Sequence, residues 1–412
     1  MESKRDPFAS LRIRDFSLFV LARFSITIGV LIQSLVVEWQ IWDLTKDPLQ
    51  LGLIGLTEAI PFLCIALFAG HIADIVSRKK IIIYSTVFFL VGTAFLFYFS
   101  INVKENVEQW GVAPIYIAIA TTGLSRGFLS PAFSSFLTQL VPKELFVASA
   151  AWSSSSWQIA AVLGPMIAGF LYSFLGAPIS YAVDAAVIIF SLLFIVLIPA
   201  RPPAKKDRTE PLMKSIRVGL NFVFNNQIML GAISLDLFAV LFGGAVAMIP
   251  VFADHVLHVG AEGRGFLRAA PAIGAVMMAV WITFNPVRKQ VGKILLTCVA
   301  AFGVFIIAFA LSTNFYFSIL FLILTGAADY VSVFIRSTIV QVMTPDEMRG
   351  RVSSVNSVFI GSSNEIGEFE SGTAAKLMGL VPSVVFGGIM TIVVVLTTTK
   401  VAPKLKNLNE LN

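Results

Sequence analysis

The sequence predicts an all-α membrane protein of twelve transmembrane helices, arranged as two six-helix pseudo-repeats around a central cavity. Three observations predict it: a composition poor in charge, apolar runs that recur at spanning length, and a repeat of residues at one constant offset. Of the 412 residues, 57% are hydrophobic and 13% charged, where a soluble chain carries about 25% charged residues. A soluble protein must cover its surface with polar groups, so the deficit, with a mean hydropathy of +0.85, excludes an ordinary soluble enzyme.

A spanning helix needs roughly 20 apolar residues. Such runs are expected at 16–42, 49–72, 80–101, 112–140, 147–174 and 179–200, then at 227–253, 264–284, 292–312, 315–342, 352–379 and 382–402. The start of the chain, Met1 to Asp15, is polar, and the first apolar run is too long for a cleavable leader. Alternate breaks between runs carry the basic residues. Lys4, Arg5, Arg12 and Arg14 open the chain; Arg78, Lys79 and Lys80, Lys143, Arg201 to Arg217, Arg288 to Lys293, Arg349 and Arg351, and Lys400 to Lys406 follow on the same side. The opposite breaks hold only Lys46, Lys104 and Arg264. The net charge of +6 therefore reads as orientation with both termini cytoplasmic, and no nucleic-acid partner is expected.

The longest polar break, 201–226, joins an N-terminal half (1–200) to a C-terminal half (227–412) and includes an amphipathic segment from Leu212 to Phe224. The halves repeat at an offset of 203 residues, which aligns Pro142 with Pro345, Glu144 with Glu347, Gly164 with Gly367, Gly169 with Gly372, and Arg126 with Asp329. Parallel repeats of this kind place a binding site near the bilayer midplane.

A cytoplasmic break contains Gly70, Asp74, Arg78, Lys79 and Lys80 within GHIADIVSRKK. The glycine permits close helix approach, and the aspartate can pair with a basic residue or a helix N-terminus as a latch on one state. Ala160, Gly164, Pro165, Ala168 and Gly169 form a small-residue packing motif in the fifth run. These two motifs resemble those of the major facilitator superfamily, the second that of its exporters. The segments WQIWDLTKDPLQLGLIG, SRGFLSPAFSSFLTQLVPKE, ADYVSVFIRSTIVQ, TPDEMRGRVSSVNSVF and GSSNEIGEFESG resemble the bacterial efflux subfamily that includes the enterobactin exporter and macrolide efflux pumps. Departures are Ile75 and Ser77 in the cytoplasmic motif, and Val30 after Gly29 where many relatives have an acid.

Charges inside a bilayer cost about 2.5–3.5 kcal/mol on insertion scales, so they face the bundle interior or water. Candidates are Arg23, Glu58, Arg126, Asp236, Asp329, Arg336, Glu365, Glu368 and Glu370. Asp329 and Arg336 are seven residues apart and share a helix face. Glu365, Glu368, Asp236 and Asp329 are the candidates for coupling protons. The pair Glu365 and Glu368 comes first, because about 60° separates them on a helix while Glu370 points about 140° from Glu365. Arg126 and Asp329 also read as an ion pair. Glu38, Asp184, Arg268 and Lys376 fall near helix ends, where snorkelling accounts for them. Trp39, Trp42 and Phe133 read either as ligand contacts or, more commonly, as lipid-facing residues.

No histidine lies deep in a run, and no metal-ligand cluster, phosphate loop or nucleotide-binding pattern occurs in the sequence. No metal, no cofactor and no enzymatic activity are expected. The reading is a secondary active transporter in a bacterial inner membrane. It carries an amphipathic small molecule, drug-like or siderophore-like, with protons as coupling ion, outward as an antiporter in the first reading; the alternatives are an importer of the same fold and a non-transporting membrane sensor or scaffold.

Overall fold

In the computed structural model, residues 8–201, 212–285, 287, 289–345 and 348–410 are described. A helix satisfies its own backbone groups without water, and no strand occurs among these residues. In order they are α1 (Arg14–Thr45), α2 (Pro48–Ile75), α3 (Arg78–Ile101), a short α4 (Val103–Trp110), α5 (Ala113–Leu140) and α6 (Phe146–Leu197). From residue 212 onward come α7 (Leu212–Asn225), α8 (Gln227–Phe242), a 3₁₀ turn at Gly244–Met248, α9 (Ile249–His255), α10 (Ala261–Phe284), α11 (Val291–Leu311), α12 (Phe315–Met343), α13 (Arg349–Met378), α14 (Leu380–Val401) and α15 (Pro403–Lys406).

Among the described residues, nine helices are long and apolar enough to cross a membrane, and the bent pair α4 and α5 adds a tenth. The long α6 breaks at Gly176, whose φ of 74° is outside any helix, and so supplies two spans. α13 is of spanning length but carries more charge. With these two the described helices are compatible with the expected twelve spans, of which nine to ten pass on length and apolarity alone. The protein is an all-α, multi-pass membrane protein.

Two features differ from the sequence expectation. The seventh run is not one helix but α8, a 3₁₀ turn and α9. The polar residues after 101 form α4, bent by 95° against α5 at Gly111, whose φ is 63°. The duplication extends to backbone conformation. Gly176 and Gly379, again 203 residues apart, both turn one span into the next with positive φ, 74° and 89°, a region that penalises a side chain.

The chain divides into two compact units, Met1–Gln40 with Ile60–Asp207 and Ile41–Ala59 with Arg208–Asn412. Phe16, Phe19, Phe89, Phe133 and Phe136 centre the core of the first. In the second, Met229, Leu235, Leu295, Ile335 and Ile339 are buried together, and Val223 of the amphipathic α7 packs into the same core.

Candidate functional site

The second unit builds a charged centre around the interrupted seventh span. Asn226 caps α8 by accepting hydrogen bonds from the amides of Ile228 and Met229. The helix ends at two glycines. A Cβ on Gly243 would lie 2.6 Å from the Ala239 carbonyl and 2.7 Å from Phe302, and one on Gly244 would lie 2.8 Å from the Gly367 carbonyl. α11 and α13 therefore approach the break closer than any larger residue would allow. Beyond it, Pro250 has no amide to offer the Val246 carbonyl four residues earlier. The Ile249 amide donates to that carbonyl as the bond of the 3₁₀ turn, and Arg268 of α10 adds a second donor at 3.0 Å. Arg268 is thus an interior partner of an opened helix, and snorkelling to an interface does not account for it.

Asp236 lies two turns before the break and forms a buried ion pair with Arg336 of α12. The small cavity beside the pair is lined by Asp236, Ala239, Phe302, Asp329, Ser332 and Arg336, among others. Asp329 stands two turns before Arg336 on α12, with Ser332 between them on the same face. One guanidinium thus serves a cavity with two carboxyl groups, a set that is neutral only with one proton added.

The glutamates of α13 belong to the same unit. Glu365 is buried, whereas Glu368 and Glu370 are partly exposed. Gly52 and Gly55 of α2 receive α13: a Cβ on Gly55 would sit 2.7 Å from the Glu365 carbonyl and 2.8 Å from Glu368 Oε2. Gly372 meets Gly52 in the same way, at 2.8 Å. Glu58, also buried, follows Gly55 by about one turn.

A third cluster, absent from the sequence-based set, gathers where α1 ends. Asp254 accepts from Trp42 Nε1 at 2.7 Å, Lys46 Nζ at 2.8 Å and Arg264 Nη2 at 2.9 Å. Asp43 pairs with Lys46 at 3.1 Å and with Arg264 at 3.4 Å. Desolvation disfavours the Lys46 ammonium, but its bonds to Asp254 and Asp43 outweigh this and leave it above its ordinary value. The Lys46 backbone is left-handed, φ 49°. Nearby, Lys376 reaches Asp47 at 2.7 Å. The available signal was the density of opposite charges in WDLTKD, FADH and EGRG.

In the first unit, Arg23 donates to Ser153 of α6 at 2.5 Å. Arg126 stands on α5 just before Gly127, whose Cβ position is 3.2 Å from Ile65 of α2. Arg78 donates to the Ser135 carbonyl at 3.0 Å, and Lys79 to the Val196 carbonyl at 2.9 Å. The basic end of α3 thereby caps carbonyls of α5 and of the last turn of α6. The side chains of Gly70 and Asp74 lie outside the described residues. Gly164 packs on Leu31 of α1, 2.8 Å from its Cβ position, and Pro165 and Gly169 are buried beside it. Gly367, its counterpart at the 203-residue offset, packs on α8 at 3.0 Å.

Three sequence expectations are corrected here. Asp184 is fully buried, not a snorkelling residue at a helix end, and Glu38 is 5% exposed. Trp39, Trp42 and Phe133 do not face lipid: all are buried. Trp39 meets Tyr172 edge-on, Trp42 meets His255, and Phe133 meets Phe19.

The family described as transmembrane secretion effector matches residues 5–412. Curated relatives include the enterobactin exporter EntS of Escherichia coli O1:K1 / APEC, 27% identical over 82% of this chain and 80% of the relative. The enterobactin exporter of Shigella boydii serotype 18 matches with the same identity and coverage. Among solved structures, a POT family transporter in complex with 5-aminolevulinic acid has a TM-score of 0.76 at 11% identity, covering 95% of this chain and 96% of that one. The nucleoside transporter NupG has a TM-score of 0.70 at 14% identity, covering 94% and 98%. At these identities the two structures establish the fold alone. Over nearly its whole length, then, the chain is a transporter that belongs to the transmembrane secretion effector family of the major facilitator superfamily.

Proposed function

We propose that this transporter exports an amphipathic small molecule, drug-like or siderophore-like, in exchange for protons by alternating access. It resides in a bacterial inner membrane with both termini cytoplasmic, as two six-helix halves (1–200 and 227–412) joined by 201–226. The observation that carries the proton coupling is the cavity lined by the Asp236–Arg336 pair together with Asp329. A buried charge is costly in this environment, and two carboxylates against one cation leave one negative charge in excess. Binding one proton neutralises the set, and releasing it re-creates the charge, so the cavity favours different arrangements in its two protonation states. Asp236 and Asp329 are therefore placed ahead of Glu365 and Glu368, which form a second candidate pair beside Gly55. The names of the relatives support outward transport and suggest enterobactin as a probe.

The test uses inverted membrane vesicles energised with a proton gradient. The wild-type protein is expected to concentrate a probe inside, with a C-terminal tag open to protease on the outer face. Asp329→Asn is expected to lose accumulation by at least tenfold while keeping downhill exchange. Accumulation by this variant with an unchanged pH profile would transfer the coupling role to Glu365 and Glu368. Accumulation in right-side-out vesicles instead would make the protein an importer.

A further inference from the structure

Asp184 is a buried acid that the coupling scheme above does not use. Its side chain is 0% exposed. One oxygen, Oδ1, has no hydrogen-bond partner and lies 2.9 Å from the Cβ position of Gly29 on α1. The other, Oδ2, is 3.3 Å from the hydroxyl of Thr93 on α3. Among the described residues, the groups that face it are Gly29 and Gln33 of α1, Thr93 of α3, Thr122 of α5 behind Gln33, and Tyr181 and Ile188 of α6 itself. Of these only Tyr181 is titratable, and its hydroxyl donates to Gln40 at 2.8 Å.

The hydrogen bonds have a direction. Gln33 Nε2 donates to Thr122 Oγ1 at 2.9 Å, so Gln33 Oε1 is the acceptor on the other side, 3.0 Å from Thr93 Oγ1. Thr122 in turn can donate to the Ala118 carbonyl, 3.3 Å away. Thr93 has a single hydroxyl proton. If Asp184 is ionised, Gln33 Oε1, Asp184 Oδ2 and the Phe89 carbonyl, itself 3.3 Å away, compete for that proton, and at least one of the two side-chain oxygens is left a buried acceptor without this donor. If Asp184 is protonated, its O–H donates to Thr93 Oγ1, Thr93 donates to Gln33, and Gln33 to Thr122. One added proton thus closes a chain across α6, α3, α1 and α5, and it removes an uncompensated charge from the interior.

We infer that Asp184 is a proton-binding site of the first unit, filled in this conformation. Its proton is released without unfolding, because the chain around it consists of neutral groups that reorient by rotating hydroxyls. The site is distinct from the Asp236 cavity, and its test needs no substrate. The test is the infrared spectrum of the purified full-length protein in lipid, titrated with pH, taken as the difference between wild type and Asp184→Asn. Asparagine can donate to Thr93 as the acid does, so the variant is expected to fold with an unchanged melting temperature.

At neutral pH the difference spectrum should contain the carbonyl band of one protonated carboxyl. The band should disappear reversibly as pH rises while the protein stays folded, and Thr93→Val should shift its frequency. Should Asp184→Asn fail to fold, the Thr93→Val shift alone decides whether a protonated carboxyl faces that hydroxyl. A difference spectrum without the band at neutral pH, a band lost only on unfolding, or a band insensitive to Thr93→Val would each overturn the inference.

Discussion

Arg336 lies within one cavity with two carboxyl groups, and the arrangement predicts how substitutions there combine. Asp236→Asn leaves the guanidinium with Asp329 near at hand, so the loss of stability should stay below about 2 kcal/mol. Removing both acids, Asp236→Asn with Asp329→Asn, strands a buried cation, a situation that costs about 3–5 kcal/mol in folded proteins. Thermal unfolding of the purified variants measures both, and equal losses for single and double variants would show that Asp329 offers Arg336 no alternative. These three residues were legible as buried charges because each interrupts an apolar run. The Asp236–Arg336 pairing was not legible, since only the packed α8 and α12 bring the two together. Asp184 was missed for the opposite reason. It stands near the start of its expected run, yet its depth is set by Gly29 on a different helix, which no single run reveals.

At the scale of the element, spans were easy to read because a bilayer demands long apolar runs with internal hydrogen bonds. The opening of the seventh span was not, although Gly243, Gly244 and Pro250 all stand in it. Each residue is tolerated singly within transmembrane helices, and only the nearby Gly367 carbonyl and Arg268 show that together they open one. The crossing of α10 and α12 offers a close contact to test. A Cβ on Gly326 would be 1.9 Å from the Pro271 carbonyl, and one on Gly274 would be 1.9 Å from the Ile323 carbonyl. Backbone cannot yield as a flexible side chain does. Gly326→Ala should therefore cost about 1–3 kcal/mol, visible as a lower melting temperature. Gly260→Ala, where a Cβ meets nothing within 4 Å, serves as the control and should change little; equal behaviour of the two variants would refute the contact.

For the whole molecule, the duplication legible as an offset of 203 residues recurs in the paired turns at Gly176 and Gly379. The division into units does not follow the linear order of the chain. Ile41–Ala59 is counted with the second unit, tied there by Asp47 to Lys376 and by Trp42 and Lys46 to Asp254. The polypeptide therefore passes from one unit to the other three times, and only the last passage lies in the long polar stretch. Covalent continuity at that passage should be dispensable. Fragments 1–207 and 208–412, co-expressed from separate genes, are expected to be recovered together through a tag on either one. Asp47→Ala combined with Asp254→Ala should reduce that recovery severalfold, and failure of the unmodified fragments to associate would show that Ile41–Ala59 does not hold them. Two halves encoded apart would already recognise each other through a hairpin lent by one to the other. In chimaeras between diverged relatives, compatibility would then be decided by the sequence of that hairpin, not by the length of the linker.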